Sequence, residues 1–375
     1  MKTLKQHLLQ FPKKEPVLFA AALCMILSAV FVPPSAVWIS HIDFRTLALL
    51  FSLMAVVAGM QNHGLFDWIA QKMLSGKKTR RMLFLVLILM PFFTSMLITN
   101  DVALITFVPF AILILELTGQ QKYLIFVVIA QTIAANLGSM ATPVGNPQNL
   151  YLYSCFDLSA GEFFAAVMPY ALLSLAAVAV SVLFCPNQEF AVTFPEKQEI
   201  DSKKHLLLYL ALFLLCLLSV FRVLHWGILL VIVCAALLLA DRKLFGGLDY
   251  GLLLTFVCFF IFAGNIGAID AVNELLRSIM GNSPLLTSAL ASQVISNVPA
   301  AVLLSGFTQD WKALLLGTDI GGLGTPIASM ASLISFRLYM KTKDASAGKY
   351  LLWFSVVNFA GLIVFLAIAL LTGLR

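Results

Sequence analysis

Two short polar runs interrupt long apolar stretches of this chain, and their side chains are of the kinds that bind ions and small hydrogen-bonding solutes. The first is Ile98-Thr99-Asn100-Asp101-Val102-Ala103 and the second Ile295-Ser296-Asn297-Val298-Pro299-Ala300. Asparagine offers a carbonyl and an amide, and a hydroxyl both donates and accepts. A carboxylate such as Asp101 is costly in apolar surroundings unless it meets a cation, a proton or a set of donors, so it points to an ion or proton path. The alternative for Asp101 is that it caps the helix leaving the run, a role aspartate fills well. After each run comes a segment broken by glycine and proline. Residues 136–149 carry Thr142, Pro143, Gly145, Asn146 and Pro147; residues 319–332 carry Gly321, Gly322, Gly324, Thr325, Pro326, Ala328 and Ser329. Proline removes a donor from a helix and glycine permits close backbone approach. Each break therefore bares N–H groups at a helix start, which favour anions, and carbonyls at a helix end, which favour cations. Asp319 stands where the first break has Asn136, so a polar group is wanted at both places but a charge at only one. Substrate-binding candidates are Asn100, Asp101, Thr142, Asn146, Ser296, Asn297, Thr325 and Ser329. Ion-coupling candidates are Thr99, Asn100, Asp101, Gly145, Asn297, Ala328 and Asp319.

These residues need particular elements to place them. Apolar residues run from Met82 to Leu97 and again from Leu104 to Leu115, too long for one crossing of about 20 residues. A hairpin that turns back at residues 99–101 fits, with its tip inside the membrane, where irregular backbone survives only if it is buried in protein or lines a wet cavity. Leu285 to Val294 and Ala301 to Phe307 form a second hairpin around the second tip. Asn-x-Gly-x-x-Asp precedes each hairpin, at Asn62 to Asp67 and Asn265 to Asp270. Three signals in the same order indicate an internal duplication, and paired broken segments in two halves of a membrane protein mark a transport site. Single glycines and prolines also serve tight packing of membrane helices; two breaks at matching places behind matching tips favour the site.

Composition agrees. Of 375 residues, 61% are hydrophobic and 11% charged, against about 25% charged in a soluble domain, and the mean hydropathy is +0.97. The fold class expected is an all-α polytopic membrane protein with two inverted repeats, each holding a re-entrant hairpin and a broken transmembrane helix. The net charge of +6 sits in short loops, where positive charge marks the cytoplasmic side, and no basic, aromatic-interleaved face suggests nucleic acid. The six cysteines are scattered without C-x-x-C spacing and the five histidines never fall at i, i+4, so no metal site is expected beyond a sodium ion.

Taken in order, residues 1–16 form a cytoplasmic leader, 17–185 the first inverted repeat, 186–225 a linker and connector helix, and 226–375 the second inverted repeat. Spans are expected at 17–32, 45–60, 163–184, 205–221, 227–240, 252–266 and 350–371. The broken helices lie over 123–153 and 312–339, and short surface segments near 67–75 and 271–280. This path places the basic clusters 77–81, 241–243 and 337–349 on one side, with the N-terminus inside, the C-terminus outside and the two hairpins on opposite faces.

At the tips and breaks the chain resembles the ion transporter superfamily of divalent-anion/sodium symporters, citrate transporters, arsenite permeases and some sodium/proton antiporters. Thr-Asn-Asp-Val-Ala-Leu with Thr-Pro-Val-Gly-Asn-Pro-Gln-Asn is most similar to an uncharacterised bacterial inner-membrane branch of permeases like the arsenite ones. In the dicarboxylate symporters both tips read Ser-Asn-Thr and bind a substrate carboxylate with flanking sodium ions. The resemblance thus implies one ion site at Thr99, Asn100 and Gly145 and another at Asn297 with the backbone near Ala328. It also turns Asn100, Asn146, Asn297 and Ser329 toward substrate. Asp101 and Val298 depart from the third tip position, so citrate or succinate does not follow. The function expected is a secondary active transporter of small ions, an anion coupled to sodium or protons, working by alternating access. Alternatives are an arsenite-type efflux permease, a sodium/proton antiporter, a channel or an intramembrane enzyme; the last would want a nucleophile and base, and none is evident. No cofactor is expected other than Na+ or H+ as coupling ion. The partners expected are a small-ion substrate and the lipid bilayer of a bacterial inner membrane, with a homodimer or an ATPase subunit left open and no nucleic acid.

Overall fold

The computed structural model describes residues 15–192 and 197–374; most of the leader and part of the linker lie outside the described residues. The chain is a multi-pass, almost wholly helical membrane protein. Among the described residues seven helices are long and apolar enough to cross a bilayer.

Helix α1 (Pro16–Ser28) is followed by α2 (Phe44–Asn62), the short amphipathic α3 (Leu65–Leu74), and the hairpin arms α4 (Arg80–Thr94) and α5 (Asn100–Leu117). The first broken helix is α6 (Leu124–Ser139) and α7 (Pro147–Cys155), and α8 (Ala160–Ser181) closes the first half. A connector, α9 (Lys203–Val220), leads to α10 (Trp226–Ala240), α11 (Tyr250–Gly267) and the amphipathic α12 (Asp270–Asn282). The second hairpin is α13 (Pro284–Ile295) and α14 (Asn297–Leu304), the second broken helix α15 (Trp311–Ile320) and α16 (Met330–Tyr339), and α17 (Ala347–Leu371) ends the chain. The same order of element types thus occurs twice, with breaks at residues 140–146 and 321–329 where glycine and proline concentrate.

Several details differ from the sequence expectation. The regular helix of the first span ends at Ser28, four residues early, and the chain goes on in turns to Val32, whose N–H donates to the Ser28 carbonyl at 3.0 Å; the Ser28 hydroxyl accepts from the Asn265 amide at 2.9 Å. The fold is not purely helical. Strand β1 (Gly76–Thr79) pairs antiparallel with β2 (Glu189–Val192), so part of the expected linker is tied to the start of the first hairpin. Neither segment has a strand-like alternation in sequence, and the pairing is a tertiary event. Arg80, within the basic run, is only 4% exposed: its guanidinium donates to Gln120 Oε1 at 2.9 Å, to the Pro186 carbonyl at 3.1 Å and to Gln188. That fan of bonds joins the start of hairpin arm α4 to the loop between α5 and α6 and to the linker.

Helices in a bilayer gain little from burying apolar surface against one another, so close backbone approach matters more. Gly138 shows this, since a Cβ there would lie 2.3 Å from the Phe92 carbonyl oxygen. The broken helix α6 therefore lies directly on hairpin arm α4. In the second half, Gly321 is approached by Ala289 and Ser292 of α13 in the same manner, with a Cβ position 2.9 Å from each. Away from the hairpins, α2 packs on α9 and α10, where Gly59 admits the buried ring of Tyr209.

Candidate functional site

At the first tip, α4 ends at Thr94 and α5 starts at Asn100 after an extended Thr99 (φ −62°, ψ 148°) whose side chain does not cap the helix. The Asn100 backbone N–H donates to the Gly145 carbonyl at 3.2 Å. Its side-chain carbonyl accepts from the Asp101 N–H at 3.0 Å, and its amide donates to Asn136 Oδ1 at 3.0 Å. The second tip repeats the device. The Asn297 N–H donates to the Ala328 carbonyl at 3.0 Å, and Asn297 Oδ1 accepts from the Val298 N–H at 2.9 Å. Ser296 turns this tip with φ +72°, rare for a side chain other than glycine, and its hydroxyl also donates to the Ala328 carbonyl at 3.2 Å. Each tip asparagine is thus pinned by its backbone to the matching break and leaves its side chain among polar groups.

The breaks are built to receive the tips. Pro147 opens α7 behind Asn146, whose Oδ1 accepts from the Asn149 N–H at 2.8 Å. A Cβ at Gly145 would lie 2.1 Å from the Ser139 carbonyl oxygen and 2.7 Å from that of Ser95, so only glycine fits under the tip. In the second break Gln293, from hairpin arm α13, donates to the Gly321 and Leu323 carbonyls at 2.7 and 2.9 Å and accepts from the Thr325 N–H at 2.8 Å. One side chain replaces the missing helical ladder.

Polar bonds cross between the halves. Asn136 Oδ1 also accepts from the Ser329 hydroxyl at 3.0 Å, and its amide reaches the Gly322 carbonyl at 3.4 Å. Asp319 Oδ1 accepts from Asn146 at 3.2 Å and Gln148 at 3.3 Å, while its Oδ2 is buried without a protein partner. The two aligned positions, Asn136 and Asp319, each reach the opposite half.

A cavity of about 40 Å³ lies between the tips, bordered by Asn100, Asp101, Gln148, Asn297 and Ser329. That is room for an ion or about one water molecule. Beside it a larger cavity of about 280 Å³ runs from Thr99, Asp101 and Asn146 to Gln61 on α2 and Asp249 before α11. Its size approaches the lower end for small-molecule pockets. The small cavity is met by the N-terminal turns of α1, α5, α7, α11, α14 and α16. Each such end carries about half a positive charge. Among the described residues no lysine, arginine or histidine lines either cavity, whereas Asp101 and Asp249 face both and Glu15 faces the smaller. Asp101 Oδ1 is buried without a partner, so its carboxylate is not spent on capping α5.

Of the residues singled out from sequence, Asn100, Asp101, Ser296, Asn297 and Ser329 border the small cavity, and Thr99, Asp101 and Asn146 the larger one. Gly145 and Ala328 present carbonyls to the tips. Asp319 sits behind the cavity in the network with Asn146. Thr142 and Thr325 border neither: Thr142 donates to the Met96 carbonyl and Thr325 to that of Gln293 at 2.9 Å, so both hold the breaks against the hairpins. Asp249, Glu15, Gln148, Gln61 and Gln293 were not singled out. Asp249 reads as the surface cap of a span, and it does accept from the Leu252 N–H at 2.9 Å; only the packing of α11 brings it to the site. For Gln293 the signal was present, a lone amide one turn before the tip. Among the described residues no group of three or more His, Cys, Asp or Glu side chains could hold a metal ion.

A family model described as citrate transporter matches residues 13–310, and the chain belongs to that family. It is 34% identical over 332 residues to an uncharacterized transporter of Methanocaldococcus jannaschii, covering 88% of this chain and 90% of that protein. It is 30% identical over 316 residues to the inner membrane protein YbiR of Escherichia coli, covering 82% of each. A shorter match, 30% over 147 residues, covers 39% of this chain and 30% of the silicon efflux transporter LSI3 of Oryza sativa subsp. japonica.

Proposed function

We propose that this member of the citrate transporter family is a secondary active transporter in the bacterial inner membrane, moving a small anion together with Na+ or protons by alternating access. The observation that carries this reading is the convergence of six helix N-termini on a cavity that also holds carboxylates and, among the described residues, no cationic side chain. The N-termini together offer about three positive charges' worth of dipole, which suits an anion. Asp101, Asp249 and Glu15 oppose that anion until a cation or proton neutralises them. Substrate and coupling ion then bind as a set, and neither is well held alone. The 40 Å³ cavity suits the ion and the adjoining 280 Å³ cavity a solute of a few heavy atoms.

Supporting an alternating mechanism are the paired element orders, read as inverted repeats, and the polar ties at Asn136 and Asp319 that link the halves through single side chains. The positive-inside rule puts residues 241–243 in the cytoplasm. The larger cavity, extending to the loop at residues 247–249, is then the cytoplasmic approach. A second reading, export of an uncharged solute, is favoured by the absence of cationic lining among the described residues and by the efflux that the name of the rice relative states.

Purified protein in liposomes, given a panel of small carboxylates, oxyanions and neutral hydroxylated solutes under imposed sodium and proton gradients, tests both readings. Saturable, gradient-driven uptake of an anion is expected, and it should vanish in Asn100→Ala and in Asn297→Ala while both variants remain monodisperse. Normal transport by both variants would place the site elsewhere, and gradient-independent, non-saturating flux would make the protein a channel.

A further inference from the structure

A separate cavity of about 660 Å³ lies on the outside of the bundle between α6, α8 and α17. Its wall is aliphatic and aromatic along most of its length, with Ile133 and Leu137 of α6, Phe365 of α17 and Leu323 of the second break at one end. Its polar residues are Lys122 just before α6, Ser181 at the end of α8 and Trp353 near the start of α17. Trp353 and Val364 are 57% and 53% exposed, so this face of α17 looks out into the bilayer. Water there would lack partners, and the surrounding solvent is lipid.

Shape and charge select the occupant. From Lys122 to Leu137 the helix rises about 23 Å, so 660 Å³ leaves a cross-section of roughly 30 Å². A slot of that length and width suits an extended acyl chain. Lys122 makes no ion pair among the described residues. Its ammonium lies 5.1 Å from the centre of the Tyr123 ring, whose other cationic neighbour, Arg80, is held by its own acceptors. One unneutralised cation at the membrane-interface end of a narrow apolar slot matches a phosphate above an acyl chain, and tryptophan commonly sits at that level. We propose that this crevice binds one anionic glycerophospholipid, its phosphate at Lys122 and an acyl chain laid along α6 and α17 toward Leu323. The chain then touches the back of both broken helices, so the bound lipid braces the elements that carry the tips.

Native mass spectrometry of the full-length protein in detergent, with added phosphatidylglycerol or phosphatidylcholine, tests the assignment. The wild type should retain one phosphatidylglycerol in preference to phosphatidylcholine. Lys122→Glu alters an exposed side chain and should lower phosphatidylglycerol retention roughly tenfold, leaving phosphatidylcholine unchanged. The double variant Ala177→Phe with Ala360→Phe fills the slot from two exposed positions and should lose both lipids while melting near the wild-type temperature. Equal lipid retention by all three proteins overturns the proposal. So does a double variant that keeps its lipid but changes from dimer to monomer, which would give the crevice to a second copy of the chain.

Discussion

Replacing Asn136 with alanine removes one oxygen that two buried donors share. Asn100 and Ser329 are 5% and 2% exposed, and both donate to Asn136 Oδ1 at 3.0 Å. A buried donor left unpaired costs about 1–3 kcal/mol, so losing both, with the weak contact to Gly322 neglected, costs about 3 kcal/mol. For 375 residues the unfolding entropy is about 0.8 kcal/mol/K, so the melting temperature should fall by about 4 °C. Ser329→Ala removes one donor and leaves the oxygen with its other partner, which costs about 1 kcal/mol, or about 1 °C. Because the two changes share a bond they should not add: in the Asn136→Ala background, Ser329→Ala removes a donor already unpaired and should be neutral or stabilising. Thermal unfolding of the four proteins in one detergent, at one scan rate, closes the cycle. Wild-type melting of Asn136→Ala, or a full additional loss in the double variant, would refute the claim that this oxygen ties the first tip to the second break.

Three further outcomes are expected. Asp101→Asn should abolish the dependence of uptake on sodium or pH gradients with little change in melting, since Asp101 Oδ1 has no hydrogen-bond partner to lose; unchanged ion dependence would remove Asp101 from coupling. In a cysteine-free background, single cysteines at the exposed positions Lys77 and Lys341 should label only from the cytoplasm and one at Asp310 only from outside, and labelling of 77 and 310 from one face would exclude inverted repeats. Burial pushes the Asp241 carboxyl up, but bonds from His63 at 3.0 Å and Tyr209 at 2.8 Å outweigh that and hold it below the ordinary carboxylate value. A depressed pKa contributes stability at neutral pH that is lost as the pH falls through it. The melting advantage of wild type over Asp241→Asn should therefore be present at pH 7 and shrink below about pH 4, and an advantage independent of pH would show that the charge is not involved.

What the sequence determined by itself was the order of elements and the location of irregular backbone. Twenty-residue apolar runs, proline, and glycine act locally, so the tips at residues 99–101 and 296–297 and the breaks behind them could be read from composition and spacing. The tip asparagines were legible for the same reason, as polar groups with no purpose in lipid. Partner choice was left to the tertiary structure, because it depends on which side chains meet across distant segments. Thr142 and Thr325 resemble ligands in the chain, yet packing turns each onto a hairpin carbonyl. Asp249 resembles a surface cap, yet the position of α11 brings it to the cavity. His63 and His205, never at helical spacing, stack 5.0 Å apart because α2 and α9 pack side by side. The balance of charge at the site was decided in the same way: helix dipoles act where their ends point, and only the folded chain brings six N-termini and the carboxylates to one cavity.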